Sequence, residues 1–293
     1  MIKKKVALVL SSGGARGLAH IGVIEELESR GYEISSVSGT SIGAVVGGAY
    51  AAGALNEYAS WVRSLTKTEV LRLMDFTLSL NGVMKGEKVF DEMKKRIPDR
   101  KIEDLNLPFV ALATDLITKQ EVVFKSGSLY KAMRASVSIP TVFIPYKLEN
   151  MRLVDGGLLN PIPIKHVERN AGDILVAVNL NSDNYEDTFH KIPKKEELNE
   201  TAYNKFFNKF KKNIPEKHHE KLSYFNILNT TIGIMLSRIC DYELQINKPD
   251  VLIDLPRNLS TTFEFYNAGK IIEKGREAAR LALEYYEKKA LSE

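Results

Sequence analysis

The five residues Gly39-Thr40-Ser41-Ile42-Gly43 constrain the fold of this chain more than any other stretch. They form a G-x-S-x-G motif between a short β-prone run, Ile34 to Val37, and an uncharged segment, Ile42 to Leu55. In such a strand-to-helix turn the serine takes a strained backbone that lifts its hydroxyl clear of the sheet edge, and small residues two positions either side avoid a clash. Gly39 and Gly43 supply that room. The segment IGAVVGGAYAAGAL is too short to span a bilayer and suits a helix buried on all sides. Its N-terminus, aimed at Ser41, would favour negative charge developing there.

With 293 residues, 44% of them hydrophobic and 27% charged, the chain can bury a sizeable α/β core. A formal net charge of +4 gives no basis for a nucleic-acid partner. Cys240 is the one cysteine, so neither an intramolecular disulfide nor a cysteine-based metal cluster is expected, and a reducing, cytoplasmic setting is the simplest reading. The start, Met1 to Lys5 followed by VALVL, imitates a signal peptide, but Ser11 to Gly14 and Arg16 interrupt the apolar run, which predicts a mature N-terminus. No window reaches the eighteen or so apolar residues of a membrane span.

Val6 to Leu10 reads as a strand buried on both faces. The loop Ser12-Gly13-Gly14-Ala15-Arg16-Gly17 follows, then a helix from about Leu18 to Arg30 ended by Gly31. Strand, glycine loop and helix invite a dinucleotide-binding reading. It is weakened because Ser12 stands where the first glycine of that fingerprint belongs and the second strand lacks a ribose-binding acid. Successive glycine N–H groups at a helix start serve equally as a donor site for one oxyanion. Further on, Asn56 to Arg72 is predicted helical, Gly82 to Gly86 a loop, and Glu87 to Arg96 a helix stopped before Pro98. Phe109 to Leu116 and Gln120 to Phe124 read as neighbouring strands, Leu129 to Ser138 as a helix, and Arg152 to Val154 as a strand delivering Asp155 into Gly156-Gly157. Ile174 to Leu180 and Val251 to Leu255 read as strands, Leu222 to Gln245 and Asn267 to Lys289 as helices.

Between Asp183 and Lys221 the composition turns charged, with His190, His218 and His219, suggesting an insertion or cap. On a helix, Tyr203, Phe206, Phe207, Phe210 and Ile214 would share one face while Lys205, Lys209 and Lys212 lie elsewhere, which suits either packing as a cap or peripheral contact with an anionic lipid surface. The paired histidines lack carboxylates at ligand spacing, so no metal site is expected.

A serine nucleophile needs a base, oxyanion donors and a binding surface. The hydrolases that use Ser, acid and His in that chain order build much of their sheet before the nucleophile, whereas here few strands precede Ser41. His166 is the one histidine near the right distance after Asp155 to complete a triad, and His20 is expected to pack on the first helix. The more economical site lets Asp155 take the Ser41 proton itself.

Four ordered stretches, Ser12 to Val23 with its glycine loop, Gly39 to Ala44, Arg134 to Pro140 and Asp155-Gly156-Gly157, resemble the bacterial patatin-like phospholipases. The resemblance extends from the first strand to about Leu180 and loosely to the last helix. It implies a three-layer α/β/α sandwich around a mostly parallel sheet, one acyl hydrolase domain over residues 1–293 with 183–221 inserted and a C-terminal helix at 267–289. It also implies Ser41 as nucleophile, Asp155 as base, and Gly13, Gly14, Ala15 and Arg16 around the oxyanion, with Gly17, Gly39, Gly43, Gly156 and Gly157 shaping the motifs. The family's loop begins with glycine where this chain has Ser12. The expected substrate is a phospholipid, lysophospholipid or other acyl ester, cleaved with neither metal nor cofactor. The same residues would serve an acyltransferase, and a non-catalytic lipid-binding module is the reading from outside enzymology.

Overall fold

The computed structural model of the chain describes residues 4–79, 82–182 and 224–292. Five parallel strands, β1 (Lys5–Leu10), β2 (Glu33–Thr40), β5 (Phe109–Asp115), β9 (Ile174–Ser182) and β10 (Val251–Pro256), form most of the central sheet. Three antiparallel strands, β6 (Gln120–Phe124), β7 (Tyr146–Leu148) and β8 (Met151–Asp155), complete it beyond β5. The order is β10-β9-β1-β2-β5-β8-β7, with β6 also pairing β5. A separate hairpin joins β3 (Phe76–Ser79) to β4 (Gly82–Met84).

Alternation explains why β1 is apolar throughout. Val6, Leu8 and Leu10 enter the large core on one face of the sheet, while Ala7 and Val9 pack on the other with Ile162, Ile164 and Cys240. The first face is covered by α1 (Ala19–Ser29), α2 (Ile42–Ala51), α6 (Leu129–Ser136) and the last helix, Ala268–Ser292. The helix Tyr224–Ile246 brings Cys240 to the second face, so the sheet lies between helical layers: an α/β/α sandwich. Cys240 is buried, and burial pushes its thiol up to about 12. It packs as a small apolar residue.

β1 is flanked by β2 on one side and by β9 on the other, so successive connections leave in opposite directions at this point. In open parallel sheets such a reversal opens a crevice at the carboxyl ends of the strands. Both the loop after β1 and Ser41 after β2 lie there.

Several boundaries differ from the sequence expectation. The uncharged run Ile42 to Leu55 is not one helix. α2 stops at Ala51, Gly53 turns the chain at φ 72°, and α3 (Leu55–Ser64) begins afresh. Asn56 to Arg72 is likewise divided, because Thr66 starts α4 (Lys67–Leu73) with a capping box. Its Oγ1 accepts the Glu69 N–H at 3.3 Å and Glu69 Oε2 accepts the Thr66 N–H at 2.8 Å. The expected loop Gly82 to Gly86 contains β4, and α5 (Glu87–Lys94) follows it. The glycine loop winds into a 3-10 turn, Gly14–Leu18, before α1. The segment carrying Tyr203, Phe206, Phe207 and Phe210 lies outside the described residues. Among those described, no helix is long and apolar enough to cross a membrane.

Candidate active site

Ser41 sits between β2 and α2 with φ 59° and ψ −126°, one of few non-glycine residues here with positive φ. This backbone is costly for a side-chain-bearing residue and is held by its surroundings. A Cβ on Gly39 would stand 2.4 Å from the Gly43 carbonyl oxygen, and one on Gly43 would stand 2.2 Å from that of Leu10. The elbow therefore closes only with glycine at both positions.

Asp155 arrives from the far side of the sheet. β8 runs antiparallel to β5 with Asp155 opposite Ala113, and β5 pairs with β2 so that Leu112 lies opposite Thr40. This register brings the carboxylate to the elbow. Ser41 Oγ donates to Asp155 Oδ2 at 2.5 Å, and the Gly157 N–H donates to Asp155 Oδ1 at 2.8 Å. Gly156 passes so close to the Leu112 carbonyl that a Cβ would stand 2.4 Å from its oxygen, and Gly17 lies against Ile42. Ser41 is 3% exposed and Asp155 7%. Burial raises the Asp155 carboxyl to about 6, and the hydrogen bonds from Ser41 and Gly157 oppose that rise.

The glycine loop divides its N–H groups. Those of Ser12 and Ala15 are spent on the carbonyls of Pro161 at 2.8 Å and Thr262 at 2.9 Å. Those of Gly13 and Gly14 have no acceptor among the described residues. Ala15 is thus corrected from oxyanion donor to anchor of the loop. Arg16, expected beside the loop, ties it down: its Nε donates to the Gly13 carbonyl at 3.0 Å and a terminal nitrogen to the Arg257 carbonyl at 2.5 Å. Burial, and then the nearby Arg257, lower its guanidinium to about 10. The Ser12 carbonyl accepts from Asn181 Nδ2 at 3.0 Å, while its buried hydroxyl has no partner among the described residues.

An apolar cavity open to solvent is lined by Gly14, Ser41, Ile42, Val45, Trp61 and Phe90 among others. Nothing in the sequence marked this space. Much of its wall comes from α3, α4, α5 and Met84 of β4, elements whose apolar faces look like ordinary core. His166 does not line it: Nε2 lies 2.8 Å from Glu121 Oε2. His20 is buried, its Nε2 is 2.9 Å from the Ser11 carbonyl oxygen, and burial lowers it to about 4. The site residue that sequence reasoning passed over is Ser136, quoted only as part of a motif, whose Oγ accepts the Ser41 N–H at 2.8 Å.

A parallel-sheet sandwich with an elbow serine, a buried carboxylate on its hydroxyl and free glycine N–H groups beside it has the parts required for acyl transfer through serine. Residues 8–167 match the family model described as patatin-like phospholipase. Uncharacterized NTE family proteins of Mycobacterium tuberculosis and Mycobacterium bovis are 33% identical over 97% of this chain and 92% of their own length. Patatin-like phospholipase domain-containing protein 6 of Homo sapiens is 32% identical over 60% of this chain and 13% of its own. Among solved structures, VipD from Legionella pneumophila aligns with 97% of this chain and 67% of its own, at 13% identity and a TM-score of 0.46. The chain belongs to the patatin-like phospholipase family, whose members act on lipid esters.

Proposed function

We propose that the chain is a lipid acyl hydrolase working through a Ser41–Asp155 dyad, within one domain that carries residues 183–221 as an insertion. The observation that carries this reading is the 2.5 Å contact between Ser41 Oγ, which lines an apolar cavity, and Asp155 Oδ2. A long acyl chain would occupy the cavity with its ester carbonyl at Ser41. Ser41 Oγ attacks the carbonyl carbon as its proton passes to Asp155, and the Gly13 and Gly14 N–H groups receive the oxyanion. The ester C–O bond then breaks, the alcohol leaves with the proton from Asp155, and the acyl group stays on Ser41. A water molecule gives a proton to Asp155 and attacks the acyl-enzyme; Ser41 takes that proton back as the fatty acid departs.

A free aspartate, near ~3.9, is a weak base at neutral pH. Burial that raises Asp155 to about 6 brings it closer to the working range without leaving it protonated at pH 7.

The test is fatty-acid release from phospholipid vesicles by the wild-type protein and by Ser41→Ala, with a short soluble ester alongside. Ser41-dependent release from vesicles is expected. Ser41-dependent cleavage of the soluble ester alone would reassign the protein as an esterase. No Ser41-dependent turnover of either would favour acyl transfer to another acceptor or a binding role.

A further inference from the structure

The end of α6 and the residues just after it reach both residues of the dyad. Ser136 Oγ accepts the Ser41 N–H at 2.8 Å and donates its own proton to the Leu112 carbonyl at 2.5 Å. Two residues on, the Ser138 carbonyl accepts the Asp155 N–H at 2.9 Å. Ser136 is fully buried.

The Ser41 N–H lies where the β2 ladder has ended and the α2 ladder has not begun, so neither element supplies its acceptor. Ser136 supplies it. A serine in a helix ordinarily bonds back to the carbonyl four residues earlier, a bond that Ser138, just past the end of α6, still makes to Arg134. Ser136 instead reaches out of its helix to two other elements. Donating its proton to Leu112 leaves the hydroxyl's lone pairs free to accept the Ser41 N–H. Leu112 is paired opposite Thr40, so the path from Thr40 through Leu112 and Ser136 returns to Ser41 and closes around the elbow.

We propose that Ser136 is a positioning residue for this site: its hydroxyl fixes the main chain of Ser41 so that Oγ meets Asp155 Oδ2, while the Ser138 carbonyl, two residues on, fixes Asp155. Ser136 touches neither substrate nor the reacting oxygen. The inference rests on the Ser41–Asp155 reading of the function.

The test compares ester hydrolysis by wild type, Ser41→Ala, Asp155→Asn, Ser136→Ala and the near-isosteric Ser136→Cys, with Ser136→Ala also made in the Asp155→Asn background. Thermal unfolding of each variant identifies those that are folded. Ser136→Ala should lower kcat 10- to 100-fold with KM within twofold, and Ser136→Cys, a weaker acceptor, should fall between it and wild type. In the Asp155→Asn background Ser136→Ala should add little, because the alignment it protects is already useless. If Ser136→Ala fails to fold, the Cys variant decides, with a kcat loss at unchanged KM expected. A folded Ser136 variant with wild-type kcat, or a loss that multiplies in full with that of Asp155→Asn, would overturn the proposal. Wild-type activity independent of Ser41 would instead sink the dyad reading itself.

Discussion

Asp155 Oδ2 lies 2.5 Å from Ser41 Oγ although the two residues are 114 positions apart in the chain. Two strand registers create that proximity, β2 on β5 in parallel and β5 on β8 antiparallel, and glycines on either side allow the backbones to approach. The electrostatic consequence is a carboxyl held near neutrality's lower edge by burial.

The first prediction concerns pH. A base must be ionised to accept the serine proton, so kcat/KM for a neutral ester should rise with pH, reach half its plateau near the Asp155 value of about 6, and stay flat above it. A pH profile with its half-point at 4 or below would contradict the burial argument.

Stability should carry the opposite sign. The folded-state value of about 6 lies above the ordinary 3.8, so the native state binds more protons than the unfolded chain between them. Wild-type stability therefore falls as pH rises through that window, and the ionised, buried Asp155 costs about 3 kcal/mol above it. Asp155→Asn removes the titration. The inactive variant should unfold at a higher temperature than wild type at pH 8, with the difference vanishing toward pH 4. Equal melting temperatures at both pH values would refute this.

The elbow glycines were legible because they repeat a geometric demand: no Cβ fits where two backbones touch. Gly43→Ala puts a methyl 2.2 Å from the Leu10 carbonyl oxygen, at the buried carboxyl end of β1. Neither β1 nor α2 can move away cheaply, so a loss of about 3 kcal/mol or more is expected, with Tm lower by roughly 6–12 °C. A melting temperature unchanged by the substitution would show that the elbow is looser than this contact implies.

How far the sequence carries the fold follows from the same distinction. The β1 run, the Ser41 elbow and the strand leading to Asp155 could be read locally, since apolar runs, glycines and an acid at a strand end each have a short-range cause. The break at Gly53 was hidden by uniform apolarity across Ile42 to Leu55, and the one before Thr66 by the amphipathic pattern continuing past it. The loop's donors could not be sorted from sequence because their partners are remote. Thr262, which takes the Ala15 N–H, and Arg257, which takes the Arg16 guanidinium, lie more than 200 positions downstream. The cavity is equally non-local, since Ser41, Trp61, Phe90 and Phe143 all line it.

That cavity yields a specificity prediction. Val45 lines it one turn beyond Ser41 on α2. Val45→Phe should lower turnover of long-chain esters at least tenfold while leaving an acetyl ester within about threefold, since only the chain needs the space beyond. An equal loss on both substrates would point to disturbed packing of α2 rather than to a chain-binding cavity.

The most direct test of the dyad is covalent labelling by a serine-directed fluorophosphonate, followed by intact mass and peptide mapping. One adduct, on Ser41, is predicted for the wild-type protein, none for Ser41→Ala, and labelling slowed at least a hundredfold in folded Asp155→Asn. An adduct on another residue, or undiminished labelling of Asp155→Asn, would contradict the account.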